Sequence, residues 1–314
     1  MPDILTHMIY GDRTLEKVRE TDSLSLTVEM INWFHLGCQG PDPFFYYKFY
    51  LPKGLKKDIW KIGEKMHKEE CGDVIINALR LIHSRMDNPD FISIAIPYIA
   101  GYISHFAIDR NAHPYIRYRS ECMSTRVHEH NRFEKIVDVL MAKEVFGSKV
   151  EKLKINEKIY VGRKISDPIM TIYRHIFRHH FLGEFADIKP NVINSAYKDT
   201  LLFLRLEYSP LRLPYIFANF IDLITGYKYR FSAYFPPYKI DYKEDYMNES
   251  HREWHYPCNS NKKRNESLYE LLNKGIEDGA RMLTTAFDYL ENRCSEVELK
   301  DAFPNISFST GKPF

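Results

Sequence analysis

The sequence predicts an all-helical fold. Three observations carry that reading: apolar residues recur at three- and four-residue spacing over most of the chain, few segments alternate as half-buried strands do, and Gly or Pro punctuates the ends of the periodic stretches. The 314 residues are 44% hydrophobic and 27% charged, which is enough apolar material to bury a large core.

Taken in order, residues 22–36 read as a helix offering Leu26, Val28, Ile31, Phe34 and His35 to an inner side. Pro41 and Pro43 mark a turn, and an aromatic, helix-like stretch follows over 44–50. Two more helices are expected over 54–66 and 73–83. Asn88-Pro89-Asp90 is a helix start, and the apolar run from Phe91 reaches His113, ahead of Pro114. A helix apolar on nearly all sides belongs in a core. Helical periodicity resumes over 127–146, up to Gly147, and again over 167–182, 189–206, 213–223 and 266–292. The Lys/Glu-rich segment 150–164 reads as surface loop or short helix. Residues 227–263, rich in Tyr, Pro and Asn, form an irregular region, and irregular stretches of that length are commonly functional. With no repeat, low-complexity tract or linker, one domain over 1–314 is the expected organisation.

Composition narrows the function. A net charge of +2 gives no electrostatic case for a nucleic-acid partner. Cys38, Cys71, Cys122, Cys258 and Cys294 are scattered, odd in number and without a CxxC pair. Reduced thiols are therefore expected rather than a disulfide framework or a thiolate zinc knuckle. The first seven residues lack a basic stretch followed by an apolar run, so no leader is expected. The apolar stretches 92–103 and 213–224 are too short to span a bilayer and contain Pro97 or Asp222. A cytoplasmic protein without a transmembrane segment is the expectation. Lys53, Lys56, Lys57, Lys61 and Lys65 with Trp60 make a basic amphipathic face, read as solvated, with at most weak membrane-surface contact.

The sharpest chemical feature is His105-Phe-Ala-Ile-Asp109-Arg-Asn-Ala-His113. Steps of four advance about 40° beyond a full helical turn, so the three side chains form one polar stripe on an otherwise apolar helix. Unpaired buried polar groups are costly, and a metal ion satisfies imidazole and carboxylate together. A hydrogen-bonded core network is the plain alternative. A second i,i+4 pair follows, His130 and Glu134, which could equally be a solvated surface pair. Asp42 sits in a Gly- and Pro-constrained turn that could aim its carboxylate inward. His67 and His7 mean little singly. Arg110 turns away from the stripe by about 100° and reads as a structural ion-pair partner. His175, His179 and His180 lie beside Arg174 and Arg178, whose charge opposes a divalent cation, and read as a basic solvated face or a flank for an anionic substrate. The run Phe44-Phe45-Tyr46-Tyr47 reads as core packing, with one ring at a pocket mouth as the alternative.

The order His7, Gly40-Pro41-Asp42, His67, His105-x-x-x-Asp109, His113, His130-x-x-x-Glu134 resembles the zinc-dependent phospholipase C family, whose superfamily includes the single-strand-specific zinc nucleases. The resemblance covers roughly the first 140 residues by motif. It implies a multi-helix bundle of that type, with two zinc ions and a third possible. It implies Asp42, His67, His105 and Asp109 at the first zinc, and His113, His130 and Glu134 at the second. His7 and a bridging Asp109, with the amino group and carbonyl of the chain's first residue, would serve the third. The family's next histidine lies six residues past the aspartate; His113 lies four past Asp109, leaving His128 as the alternative. Choline-selective members carry an aromatic residue directly after the aspartate matching Asp42, where Pro43 stands here. The implied activity is hydrolysis of a phospholipid or related phosphodiester by metal-bound hydroxide, with Asp42 orienting or deprotonating the water. A nuclease on the same metals and a non-catalytic, metal-stabilised scaffold are the competing expectations.

Overall fold

A computed structural model describes residues 3–21, 30–55, 57–122, 128–147, 149–181, 185–186, 188–257, 259–308 and 310–312. Among them are twelve α-helices and one two-stranded antiparallel ribbon, β1 (Trp254–Tyr256) with β2 (Asn259–Arg264). The all-helical expectation holds. The ribbon falls inside the irregular stretch 227–263.

The centre of the molecule is α5 (Pro89–Arg117), roughly 44 Å long at 1.5 Å per residue. It has the length and apolarity of a membrane span, and 78% of its most apolar window is buried inside the protein. Around it pack α1 (Ile4–Thr21), α2 (Ile31–Gly37), α4 (Cys71–His83), α8 (Asp167–His180) and α11 (Leu268–Leu290). The helix runs through Pro114, where the sequence suggested an end. A proline inside a helix costs about 3 kcal/mol, yet Ala112, His113, Tyr115 and Ile116 are all buried around it, and that packing holds the turn helical. Contact with α2 depends on two glycines. A Cβ on Gly101 would stand 2.1 Å from the Phe34 carbonyl oxygen, and one on Gly37 2.0 Å from that of Tyr98. Only bare backbone allows this approach.

Several boundaries differ from the sequence reading. Residues 4–21 form α1, although Ile4, Leu5, Met8, Ile9, Leu15 and Val18, all buried, carry a helical period. Of the helix expected over 22–36, only α2 is present among the described residues; 22–29 lie outside them. The aromatic stretch 44–50 is a 3-10 turn (Asp42–Phe44) followed by further turns, because Pro41 and Pro43 lack the amide protons an α-helix needs and Lys48 sits at φ 45°. Phe44 and Tyr47 are buried, as expected of core rings. Pro52 and Gly54 delay α3 to Trp60–Lys68. Next come α6 (Glu129–Phe146), α9 (Pro190–Glu207) and α10 (Leu213–Thr225), close to the periodic stretches, α7 (Ile155–Lys158), a short helix inside the segment read as loop or short helix, and α12 (Glu296–Ala302), which was not foreseen. Cys38, Cys71 and Cys294 are free thiols.

The first turn of α1 is capped from a distant helix. Asp138 on α6 accepts from Leu5 N (3.0 Å), Thr6 N (2.9 Å), Thr6 Oγ (2.5 Å) and Tyr208 OH (3.2 Å). Orphan amides at a helix start need such an acceptor, and a carboxylate also favours the positive end of the dipole. Beside it the buried Lys135 ammonium pairs with Asp3 and, at 2.5 Å, with Glu207. Two carboxylates thus share one cation, and burial pushes Glu207 up to about 8 despite Lys135.

Two outcomes follow from this cluster. Asp138→Asn turns an amide NH2 towards amide and hydroxyl donors, so stability should fall by about 2–4 kcal/mol, read as a lower urea midpoint with unchanged slope. Glu207, whose folded pKa lies above its unfolded value, contributes stability that is complete below about pH 4.5 and is lost as pH rises through about 8. Thermal melts across that range should therefore decline more steeply for the native chain than for Glu207→Gln; parallel curves would contradict the assignment.

Candidate metal centre

Five chain segments deliver the predicted site residues. His7 comes from α1, Asp42 from the 3-10 turn, His67 from the last turn of α3, and His105, Asp109 and His113 from the stripe on α5. His130 and Glu134 lie one turn apart on α6. All eight come together. Their donor atoms form three groups, each within 4.8 Å: His7, Asp42 and His105; His67, His105 and Asp109; His113, His130 and Glu134.

Three of the five rings are aimed by their other nitrogen. His67 Nδ1 donates to Gly63 O (2.6 Å) and His105 Nδ1 to Cys38 O (3.0 Å). Carbonyls only accept, so both protons sit on Nδ1 and both Nε2 atoms carry lone pairs. Ser120 Oγ donates to Ile116 O (2.7 Å) and so accepts from His130 Nδ1 (2.9 Å), which sets the same tautomer. Such outer partners fix ligand rings in metal sites. Gly40, at φ 49°, lets the turn lie against His105: a Cβ there would stand 2.4 Å from the ring.

The inner faces are acceptors facing acceptors. His67 Nε2 lies 3.1 Å from Asp42 Oδ1, and His105 Nε2 lies 3.5 Å from Asp109 Oδ2. His7 stacks on His105 with centroids 4.1 Å apart, and its Nε2 is 3.2 Å from Asp109 Oδ1. Among the described residues, His67 Nε2, His105 Nε2, Asp42 Oδ1 and both Asp109 oxygens are buried without a hydrogen-bond partner. Burial lowers His7 to about 3 and His67 to about 4, and holds His105 and His113 well below the usual histidine range. The rings are therefore neutral, the form that binds metal. Burial, then the neighbouring Asp109, pushes Asp42 well above the usual carboxylate range, and burial raises Asp109. Facing lone pairs in a dry interior are tolerable with a cation between them. These residues fit a divalent metal, and nitrogen–oxygen donor sets of this kind suit zinc.

The third group is the open end. His113 Nε2 lies 3.2 Å from His130 Nε2, which lies 2.8 Å from Glu134 Oε1, and the His130 and Glu134 side chains are 25% and 14% exposed. His113, not His128, joins it; His128 stands just ahead of α6 with its ring 6.3 Å from Tyr234. The amino group of the chain's first residue lies outside the described residues. Arg110 pairs with Asp278 on α11 at 2.6 Å, as its turn on the helix suggested. His180 pairs with Glu70 (2.7 Å), and the α8 histidines enter none of the three groups. Phe45 brings its ring 5.3 Å from His67, giving the aromatic run one member at the site.

Sequence reasoning missed Phe308. Its ring packs 5.0 Å from His67 and 5.5 Å from His105, and its amide donates to His67 O (2.9 Å). No motif marks it; only folding brings the C-terminal segment there.

Gly40→Ala should displace His105 and lower metal affinity by about tenfold or more, the usual effect of disturbing a ligand's support, measured by competition with a chromophoric chelator. Unchanged affinity would show that the contact does not hold the ring.

No curated protein and no solved structure matches the chain at a significant level. A family model, zinc dependent phospholipase C, matches residues 6–181, which is more than half of the chain and spans every residue of the three groups. The chain belongs to the zinc-dependent phospholipase C family.

Proposed function

We propose that this member of the family hydrolyses a phosphodiester bond, with a phospholipid or a related small phosphodiester as substrate. The observation that carries the reading is the buried array of lone pairs, His67 and His105 against Asp42 and Asp109, beside the half-open third group. Asp42, His67, His105 and Asp109 would hold one zinc, and His113, His130 and Glu134 another. His7 with Asp109 is the pair closest to a third position. Zinc, when bound, supplies Lewis acidity to a phosphoryl oxygen and lowers the pKa of water towards about 7.

The chain supplies the rest. Asp42 is the group suited to take or steer the proton of the attacking water: its carboxylate faces His67 within the cluster, and its Oδ1 has no hydrogen-bond partner. Its position is fixed by the Gly40-Pro41-Asp42-Pro43 turn, where Asp42 N bonds Gln39 O at 3.0 Å. Phe308 and Phe45 exclude water from the inner end, so a phosphate would approach by the α6 side, where His130 and Glu134 meet solvent. A drier inner end strengthens every charge interaction there.

Metal analysis with parallel assays on phospholipid vesicles, bis-(p-nitrophenyl) phosphate and single-stranded DNA tests the reading. The zinc-loaded chain should cleave phospholipid and the small diester, and a zinc chelator should abolish both activities. Asp42→Asn should lower kcat by about 10²–10⁴-fold, and His105→Ala or Asp109→Ala should lose zinc together with activity. Cleavage of DNA alone would make the protein a nuclease. A zinc-replete chain inert towards all three would make it a scaffold.

A further inference from the structure

One helix turns its apolar stripe outward. Along α10, Leu213, Ile216, Phe217, Phe220, Leu223 and Ile224 recur at helical spacing, and all are exposed; Phe217 is 65% and Leu223 78% open to solvent. The opposite side faces the protein, with Ala218 and Asp222 buried. Asp222 ties the following strap to the helix, accepting from Phe231 N (2.8 Å), Ser232 N (3.0 Å) and Ser232 Oγ (2.7 Å). The strap adds Tyr227, Phe231, Tyr234 and Tyr238 to the exposed apolar surface. Contiguous exposed patches of this kind mark contact surfaces.

Within α10 and the strap the exposed charges have one sign. Over residues 205–240 the acidic side chains are Glu207 and Asp222, and both are buried. Arg205, Lys228, Arg230 and Lys239 are exposed, and Arg212 is half-buried. Arg230 lies over the Tyr227 ring at 4.5 Å and Arg212 over Tyr238 at 5.3 Å. An apolar stripe rimmed by aromatic rings and cations matches the layering of a phospholipid surface, where rings sit at headgroup depth and cations meet anionic lipid. A second copy is the poorer occupant, because a two-fold contact through this face would set like cations against one another. At 13 residues, α10 is too short to cross a bilayer and long enough to lie in its surface.

From this we infer that α10 and the strap through Lys239 seat the protein on anionic phospholipid membranes. The surface lies outside residues 6–181, the part matched by the family model. It adjoins the open end of the metal centre: the 3-10 turn Ser232–Tyr234 packs on α6, Tyr234 meets His128, and Arg132 lies over Tyr229 at 4.3 Å. Docking does not depend on the proposed reaction, since a chain that binds vesicles and hydrolyses nothing would still use this face.

Co-sedimentation on ice of the zinc-loaded chain with vesicles tests it. Binding to phosphatidylcholine mixed with phosphatidylglycerol should exceed binding to phosphatidylcholine alone by about tenfold, and added salt should close the gap. Phe217→Ser with Phe220→Ser should lower binding to both by about tenfold while keeping the urea midpoint and any hydrolysis of bis-(p-nitrophenyl) phosphate. Lys228→Glu with Arg230→Glu should affect the mixed vesicles alone. Failure of the native chain to sediment with either vesicle, or equal binding by the serine variant, would overturn the inference. So would a dimer that the serine variant disperses and lipid leaves untouched. Vesicle binding without diester hydrolysis would keep the docking face and refute the proposed reaction.

Discussion

Neutral imidazoles held lone pair to carboxylate in a dry interior are the constraint on which the rest of the molecule turns. His67 and His105 spend their protons on the carbonyls of Gly63 and Cys38, so neither ring can donate to Asp42 or Asp109. The helices must hold this arrangement against its own repulsion, and the surrounding packing shows how. Gly37 and Gly101 let α2 lie on α5 closely enough for Cys38 to reach His105. A buried cation would convert the same repulsion into cohesion, joining α1, α3, α5 and α6 through one cluster.

The support is itself polar. The Asp138 cap and the Lys135 cluster fasten the start of α1 to α6 and α9, and His7 follows one turn after Asp3. Buried ionic groups add little net stability over apolar packing and a great deal of positional definition when each partner is bonded. The helix carrying His7 and the helix carrying His130 and Glu134 are thereby set relative to one another before any metal is considered.

Much of this was legible in the chain. The stripe on α5 is visible because spacing of four survives translation into a helix face, and the His130–Glu134 pair is visible for the same reason. The eight residues that converge were all named from motif order, although no spacing rule says that α1 and α6 lie side by side. The first helix went unread despite its period. Proline misled twice in opposite directions: Pro114 was given the power to end a helix that core packing carries through, while Pro41 and Pro43 prevented a regular helix over an aromatic run. Asp138, Lys135 and Phe308 gave no signal, because their roles are set by partners seventy or more positions away. The outward stripe of α10 was readable as a helix, but periodicity does not tell which way a stripe faces.

Phe308 packs against the inner end of the cluster, and among the eight converging residues His130 and Glu134 are the most exposed. Traffic to an ion held deeper in the cluster would favour that side. An ion and an anionic guest would then share one approach, so a lodged guest would also act as a stopper. Exchange of an inner ion with an external pool would slow whenever a guest is held, tying retention of the metal to occupancy of the site.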